Sequence, residues 1–101
     1  MLTMQRFLEI IHDGKVFSYT CHKRNGGELR TFVGRVDVAK HVKGIGLNYD
    51  PLGKNLLMMY LPELEGQEHP YRQANLDAPV SLKLHGVEYK WDDQRKVWME
   101  A

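Results

Sequence analysis

The sequence predicts a mainly β protein: a small, strongly bent antiparallel β-barrel forming one domain, with the barrel over residues 15–99 and one short N-terminal α-helix over residues 3–12. Three observations predict it. The spacing of apolar residues switches from a helical repeat to a period of two at Lys15. From there every apolar run is of strand length, and turn signals of hairpin length separate the runs. One longer break, residues 37–54, interrupts the rhythm. A meander of short strands that rolls up on itself buries one face of each strand and removes exposed edges, so a barrel is the expected packing.

Met4, Phe7, Leu8 and Ile11 fall at i, i+3, i+4 and i+7, with Thr3 placed to cap the start and Gly14 to end the segment. Phe17, Tyr19 and Cys21 then share one face of a strand, and Ser18, Thr20 and His22 the other. Asn25, Gly26 and Gly27 supply the positive φ of a tight turn into a second strand, Glu28 to Val36. Asn55 to Leu61 is continuously apolar, the pattern of a strand covered on both faces, and Pro62 stops it. PELEGQEHP reads as an acidic turn, and YRQANL from Tyr71 resumes an extended pattern until Asp77, Ala78 and Pro79 interrupt it. Val80, Leu82 and Leu84 alternate cleanly, and Val87, Tyr89 and Trp91 do so again across a two-residue turn at His85 and Gly86. DDQRK is the last turn signal, ahead of a short strand through Val97, Trp98 and Met99. The expected core contains Phe17, Tyr19, Cys21, Leu57, Tyr60, Leu82, Leu84 and Tyr89, with the helix capping one opening of the barrel.

A chain of 101 residues is long enough to build one unstapled core and too short for two. Cys21 is the only cysteine, which excludes an intramolecular disulfide and a four-cysteine zinc site and fits a reducing, cytoplasmic setting. Arg6, Glu9, His12 and Asp13 break up the first apolar stretch, so neither a signal peptide nor a membrane span is expected, and the protein is expected to be soluble. The net charge of +1 hides an asymmetry. Residues 15–54 hold eight basic and three acidic side chains, a net +5, while the remainder holds six basic and ten acidic, a net −4. A local positive patch on a near-neutral protein is the footprint of a polyanion or of an acidic partner surface, although a solvated charged face has the same composition.

No catalytic set assembles from these residue types and spacings, so no enzymatic activity and no cofactor are expected. Cys21 lacks a base, since its neighbour His22 points to the opposite face of the strand, and it reads as a small buried core residue. The five histidines show no metal-ligand spacing. Glu63, Glu65 and Glu68 surround Gly66 in one loop and read as solubilising carboxylates. Gly53 and Lys54 are followed by Asn55 rather than Ser or Thr, so a nucleotide-hydrolysing P-loop is not indicated, although glycine-turn amides near Gly44 and Gly46 can hold the phosphate of a longer polymer.

The order FSYTCHKRNGGELRTFVGR, KHVKGIG, NLLMMYLPELE and YRQANLDAPVSLKLHG, covering most of residues 16–86, resembles small SH3-like β-barrel proteins of bacteriophages and bacterial mobile elements. The shared features are an aromatic-rich first strand, a lysine- and glycine-containing turn with an arginine leaving it, a basic lysine-glycine loop, an apolar strand ending in tyrosine, and a Tyr-Arg-x-hydrophobic-Asn-Leu-Asp strand. A fainter similarity runs to the WYL domain, another SH3-like barrel. It implies a ligand or nucleic-acid pocket lined by Arg30, Tyr60 with Leu61, and Arg72; Met58 and Met59 stand where that pattern has tryptophan.

Together these readings give a small regulatory binding module, expected to hold single-stranded DNA or RNA on a basic face formed by Lys23, Arg24, Arg30, Arg35, Lys40, His41, Lys43, Tyr49, Lys54 and Arg72. Tyr49 lies between Lys43 and Lys54, where an aromatic adds stacking to charge. The alternative is a protein-binding module that grips and modulates a host protein through the same surface. Salt separates the two, because phosphate contacts lose affinity steeply with ionic strength and an apolar protein interface does not.

Overall fold

A computed structural model describes residues 1–24, 26–36, 55–66 and 70–101. The protein is mainly β, as the periodicity predicts, with antiparallel sheets and one short N-terminal helix. Strand β1 (Leu2–Thr3) leads into helix α1 (Met4–Ile10), which continues as a 3₁₀ turn over Ile11–Asp13. Thr3 is the N-cap, its Oγ1 accepting from the Arg6 amide at 3.0 Å, and Gly14 at φ 79° releases the chain in the left-handed conformation that favours glycine. The strands that follow are β2 (Phe17–His22), β3 (Leu29–Gly34), β4 (Leu56–Tyr60), β5 (Tyr71–Asn75), β6 (Pro79–Leu84), β7 (Val87–Asp92) and β8 (Val97–Glu100).

Hydrogen bonding orders these strands β1-β8-β7-β6-β2-β3 in one sheet and β4-β5 in a separate ribbon. Closure into a barrel is therefore corrected. One isolated bridge joins the two sheets, with the Arg35 and Tyr60 amides each donating to the other's carbonyl at 2.9 and 2.7 Å. Gly34 allows this approach, since a Cβ there would collide with the Tyr60 carbonyl. At the other seam β5 does not run on into a ladder with β6. The Asn75 side chain captures the Asp77 amide at 3.0 Å and turns the chain, and Pro79, the first residue of β6, has no N–H to donate.

The core lies between one face of the larger sheet, helix α1 and the ribbon. Phe7 stands at its centre, with ring centroids of Phe17, Tyr19 and Trp98 at 5.7, 5.9 and 5.8 Å. Phe17, Tyr19, Cys21, Leu57, Tyr60, Leu82 and Leu84 are buried as expected. Tyr89 is only half-buried and packs against the cluster from its edge, since no residue of β7 is fully buried. Trp98 and Ile11, fully buried, complete the core from the termini of the described fold. Among the described residues no helix is long and apolar enough to cross a membrane.

Candidate functional site

The alternation of strands β4 and β5 places Leu57, Met59 and Ala74 on the core side of the ribbon. The opposite face then carries the pairs Leu56 with Asn75, Met58 with Gln73, and Tyr60 with Tyr71. That face runs about 13 Å over four strand steps and has a cationic group near each end. At one end Leu56, Gln73 and Asn75 join Cys21, Lys23, Arg24 and Phe32 around a pocket of about 300 Å³. At the other the Arg35 guanidinium lies 5.5 Å from the centroid of the Tyr60 ring, and Tyr71 packs edge-on to Tyr60 at 5.5 Å. Arg30, paired across the ladder with Cys21, sits 5.6 Å over the ring of Phe32 beside the pocket.

Asn75 organises the pocket end. It is buried, with 7% exposure, and makes three bonds, two of which tie the ribbon to β2. Its Nδ2 donates to the His22 carbonyl at 3.0 Å, its Oδ1 accepts from the Asp77 amide at 3.0 Å, and its backbone carbonyl accepts from the Tyr19 hydroxyl at 2.6 Å. A flipped amide would set oxygen against oxygen and donor against donor, so these partners fix the orientation. Asp77 takes Arg24 Nη2 at 2.7 Å and Asn55 Nδ2 at 2.6 Å, which holds the Arg24 guanidinium at the rim. Lys23 is exposed and its ammonium has no side-chain partner among the described residues. Burial pushes the Cys21 thiol up, offset in part by a backbone hydrogen bond from Asn75, so it faces the pocket as a neutral thiol. Burial likewise pushes the Tyr19 hydroxyl up, with Cys21 and Asp77 adding to the shift, and keeps it a donor.

Of the expected site residues, Lys23 and Arg24 come together at the pocket with Arg30 beside them, and Arg35 marks the far end of the same ribbon face. Arg72 stands apart: it pairs with Met59 in register, on the core-side alternation, and its Nη1 donates to the Tyr71 carbonyl at 2.7 Å. Lys40, His41, Lys43, Tyr49 and Lys54 lie outside the described residues. The set Arg30, Tyr60, Leu61 and Arg72 does not line the pocket, and Tyr60 and Leu61 are buried. Phe32, Leu56, Gln73 and Asn75, which do line it, were not expected as site residues. Asn75 alone left a sign in the sequence, as a polar residue between Ala74 and Leu76 in an otherwise apolar strand end. Among the described residues no three His, Cys, Asp or Glu side chains converge as a metal ion requires. No family model, curated protein or solved structure matches the chain.

Proposed function

We propose that the protein is a non-enzymatic binding module that holds single-stranded DNA or RNA along the outer face of the β4–β5 ribbon. The observation that carries this reading is the placement of cations at both ends of one strand face on which Leu56, Met58, Gln73 and Tyr71 are wholly or partly exposed: Lys23 and Arg24 at the pocket, and Arg35 at the far end, its guanidinium over the buried Tyr60 ring with Tyr71 beside it. A flexible strand needs spaced charge for its phosphates and flat apolar surface for its bases, and each stacked base contributes about 1 to 3 kcal/mol. Arg30 over Phe32 extends the charge around the pocket mouth. The test is fluorescence anisotropy with labelled single-stranded oligonucleotides across a salt series. Log affinity falls against log salt by about 0.7 for each phosphate neutralised. Absence of binding at low salt overturns the reading.

A protein partner is the second reading, favoured by exposed apolar residues on β3. Leu29 is 60% and Val33 46% exposed, on the face of the sheet away from the core. Binding of that kind survives high salt and is weakened by Leu29→Ser or Val33→Ser rather than by charge reversal at Lys23.

A further inference from the structure

We infer that the free edge of β3 is a self-association surface, on which a second copy of this chain pairs antiparallel to form a two-fold dimer. The inference is independent of the nucleic-acid reading and names what covers the exposed apolar residues of β3. Among the described residues β3 ends the larger sheet, with β2 as its ladder neighbour on one side only. The Lys23 amide donates to the Glu28 carbonyl at 2.7 Å, so in this ladder Glu28, Arg30, Phe32 and Gly34 turn their backbone groups toward β2. Leu29, Thr31 and Val33 therefore turn theirs outward. Two further contacts agree. The Arg35 backbone, next in that series, faces outward to Tyr60, and the Thr20 and Thr31 hydroxyls meet at 2.8 Å, as side chains do across a pair without backbone bonds. Three amides and three carbonyls thus line an edge whose side chains are exposed, Leu29 at 60% and Val33 at 46%. The strand carries no proline and its ladder with β2 has no bulge, two devices that blunt sheet edges.

The residue order of β3 picks the occupant and the register. A strand paired antiparallel with its own copy has a two-fold axis, and an axis at Thr31 sets Leu29 of each copy opposite Val33 of the other and Thr31 opposite Thr31. All six outward backbone groups of each strand then find a partner, in three hydrogen-bonded pairs. Apolar meets apolar on the outer face. On the other face Arg30 stands opposite Phe32 of the second copy, the same kind of ring that it already lies over at 5.6 Å in its own chain. An axis at Arg30 would set two arginines directly opposite one another, a destabilising pair of like charges. An axis at Phe32 would call on the backbone of Arg35, which Tyr60 already holds at 2.9 and 2.7 Å. With the axis at Thr31, Arg35 falls opposite Gly27 of the second copy, where the chain has left the strand direction at φ 72°.

The experiment follows sedimentation of the full chain from micromolar to millimolar concentration, for the wild type, for Thr31→Lys, for Thr31→Glu and for an equal mixture of the two variants. The wild type passes from monomer to dimer as concentration rises. Each variant alone sets like charges opposite one another across the axis and associates about fivefold more weakly. The mixture sets Lys against Glu and regains the wild-type association. In the wild type, amide exchange at Leu29, Thr31 and Val33 slows as the dimer fills, while exchange at Arg30 and Phe32, whose backbones face β2, does not. That readout needs no variant, so it decides the matter even where a substitution at Thr31 lowers stability through loss of the bond to Thr20. A monomer throughout the series overturns the inference and leaves the nucleic-acid reading standing. So does a dimer whose strength is the same in both variants and in their mixture, or one in which the three outward amides exchange at an unchanged rate.

Discussion

The Tyr19 hydroxyl donates to the backbone carbonyl of Asn75 at 2.6 Å, joining β2 of the larger sheet to β5 of the ribbon inside the core. Replacing Tyr19 with Phe leaves that carbonyl buried without its donor. The expected cost is about 1 to 3 kcal/mol, the range for a stranded buried polar group, against the smaller net value of an ordinary hydrogen bond. Urea unfolding of the variant measures it, and an unchanged midpoint would show that the bond contributes nothing.

Gly34 is the second joint between the sheets. Gly34→Ala forces a methyl group against the Tyr60 carbonyl, and the strands must separate to admit it. We expect a loss of about 1 to 3 kcal/mol, the usual cost of an added group in a filled space. Amide exchange at Arg35 and Tyr60, which bond to one another across the bridge, should accelerate more than exchange within the β2–β3 ladder. A uniform acceleration over the whole sheet would contradict the local cause.

Acid stability should depend on Asp13. Its carboxyl is held below the ordinary value first by the Lys15 amide, which donates to it at 2.8 Å, and further by His85 Nε2 at 2.8 Å, against an opposing effect of desolvation. The unfolded chain takes up the proton more readily than the folded one, so the site stabilises the fold fully above about pH 4 and loses that contribution as pH falls through the depressed value. Asp13→Asn should flatten the fall of melting temperature on the acid side. His85→Ala should flatten it less, since the backbone donor stays in place.

Charge reversal of Lys23 and Arg30 should weaken oligonucleotide binding for every sequence alike. Each lost phosphate contact lowers the salt slope by about 0.7. The same double variant should melt close to the wild type, because both side chains are exposed and neither takes part in an ion pair among the described residues. A large drop in melting temperature would mean that the Arg30 stack on Phe32 is structural.

Periodicity made most of the strands legible. Phe17, Tyr19 and Cys21 alternate because β2 has one face in the core, and His85 and Gly86 both adopt the positive φ that a two-residue hairpin turn needs. Strand β1 was invisible, since Leu2–Thr3 is too short to show any period and exists because it pairs with Val97 and Trp98. The open seams were equally hidden. Alternation tells which residues face a core, not whether the last strand of a meander finds a partner, and that was decided by one glycine contact and one asparagine turn. The pocket was unreadable for a similar reason. Its walls come from Cys21, Phe32, Leu56 and Asn75, residues on four strands whose meeting depends on how the ribbon leans against the sheet. The basic side chains of the β2–β3 hairpin were legible by composition, but composition does not tell that Arg24 is held by Asp77 while Lys23 has no ion-pair partner among the described residues.

The pairing of β2 with β6 also sets an order of events during synthesis. Tyr19 faces Phe32 on one side, a neighbour that leaves the ribosome soon after it, but on the other side it faces Leu82, and its ring packs against Phe7 and Trp98. A nascent chain that has emerged only as far as β3 therefore displays a β2–β3 hairpin whose aromatic face has the helix to lean on and little else, with one ladder edge unpaired. Such an edge invites pairing with a neighbouring chain. Contacts of this sequence separation form slowly, so the core should close in one late step, once Trp98 is free to reach Phe7. On a crowded polysome the exposed hairpin is the segment for which a chaperone would compete.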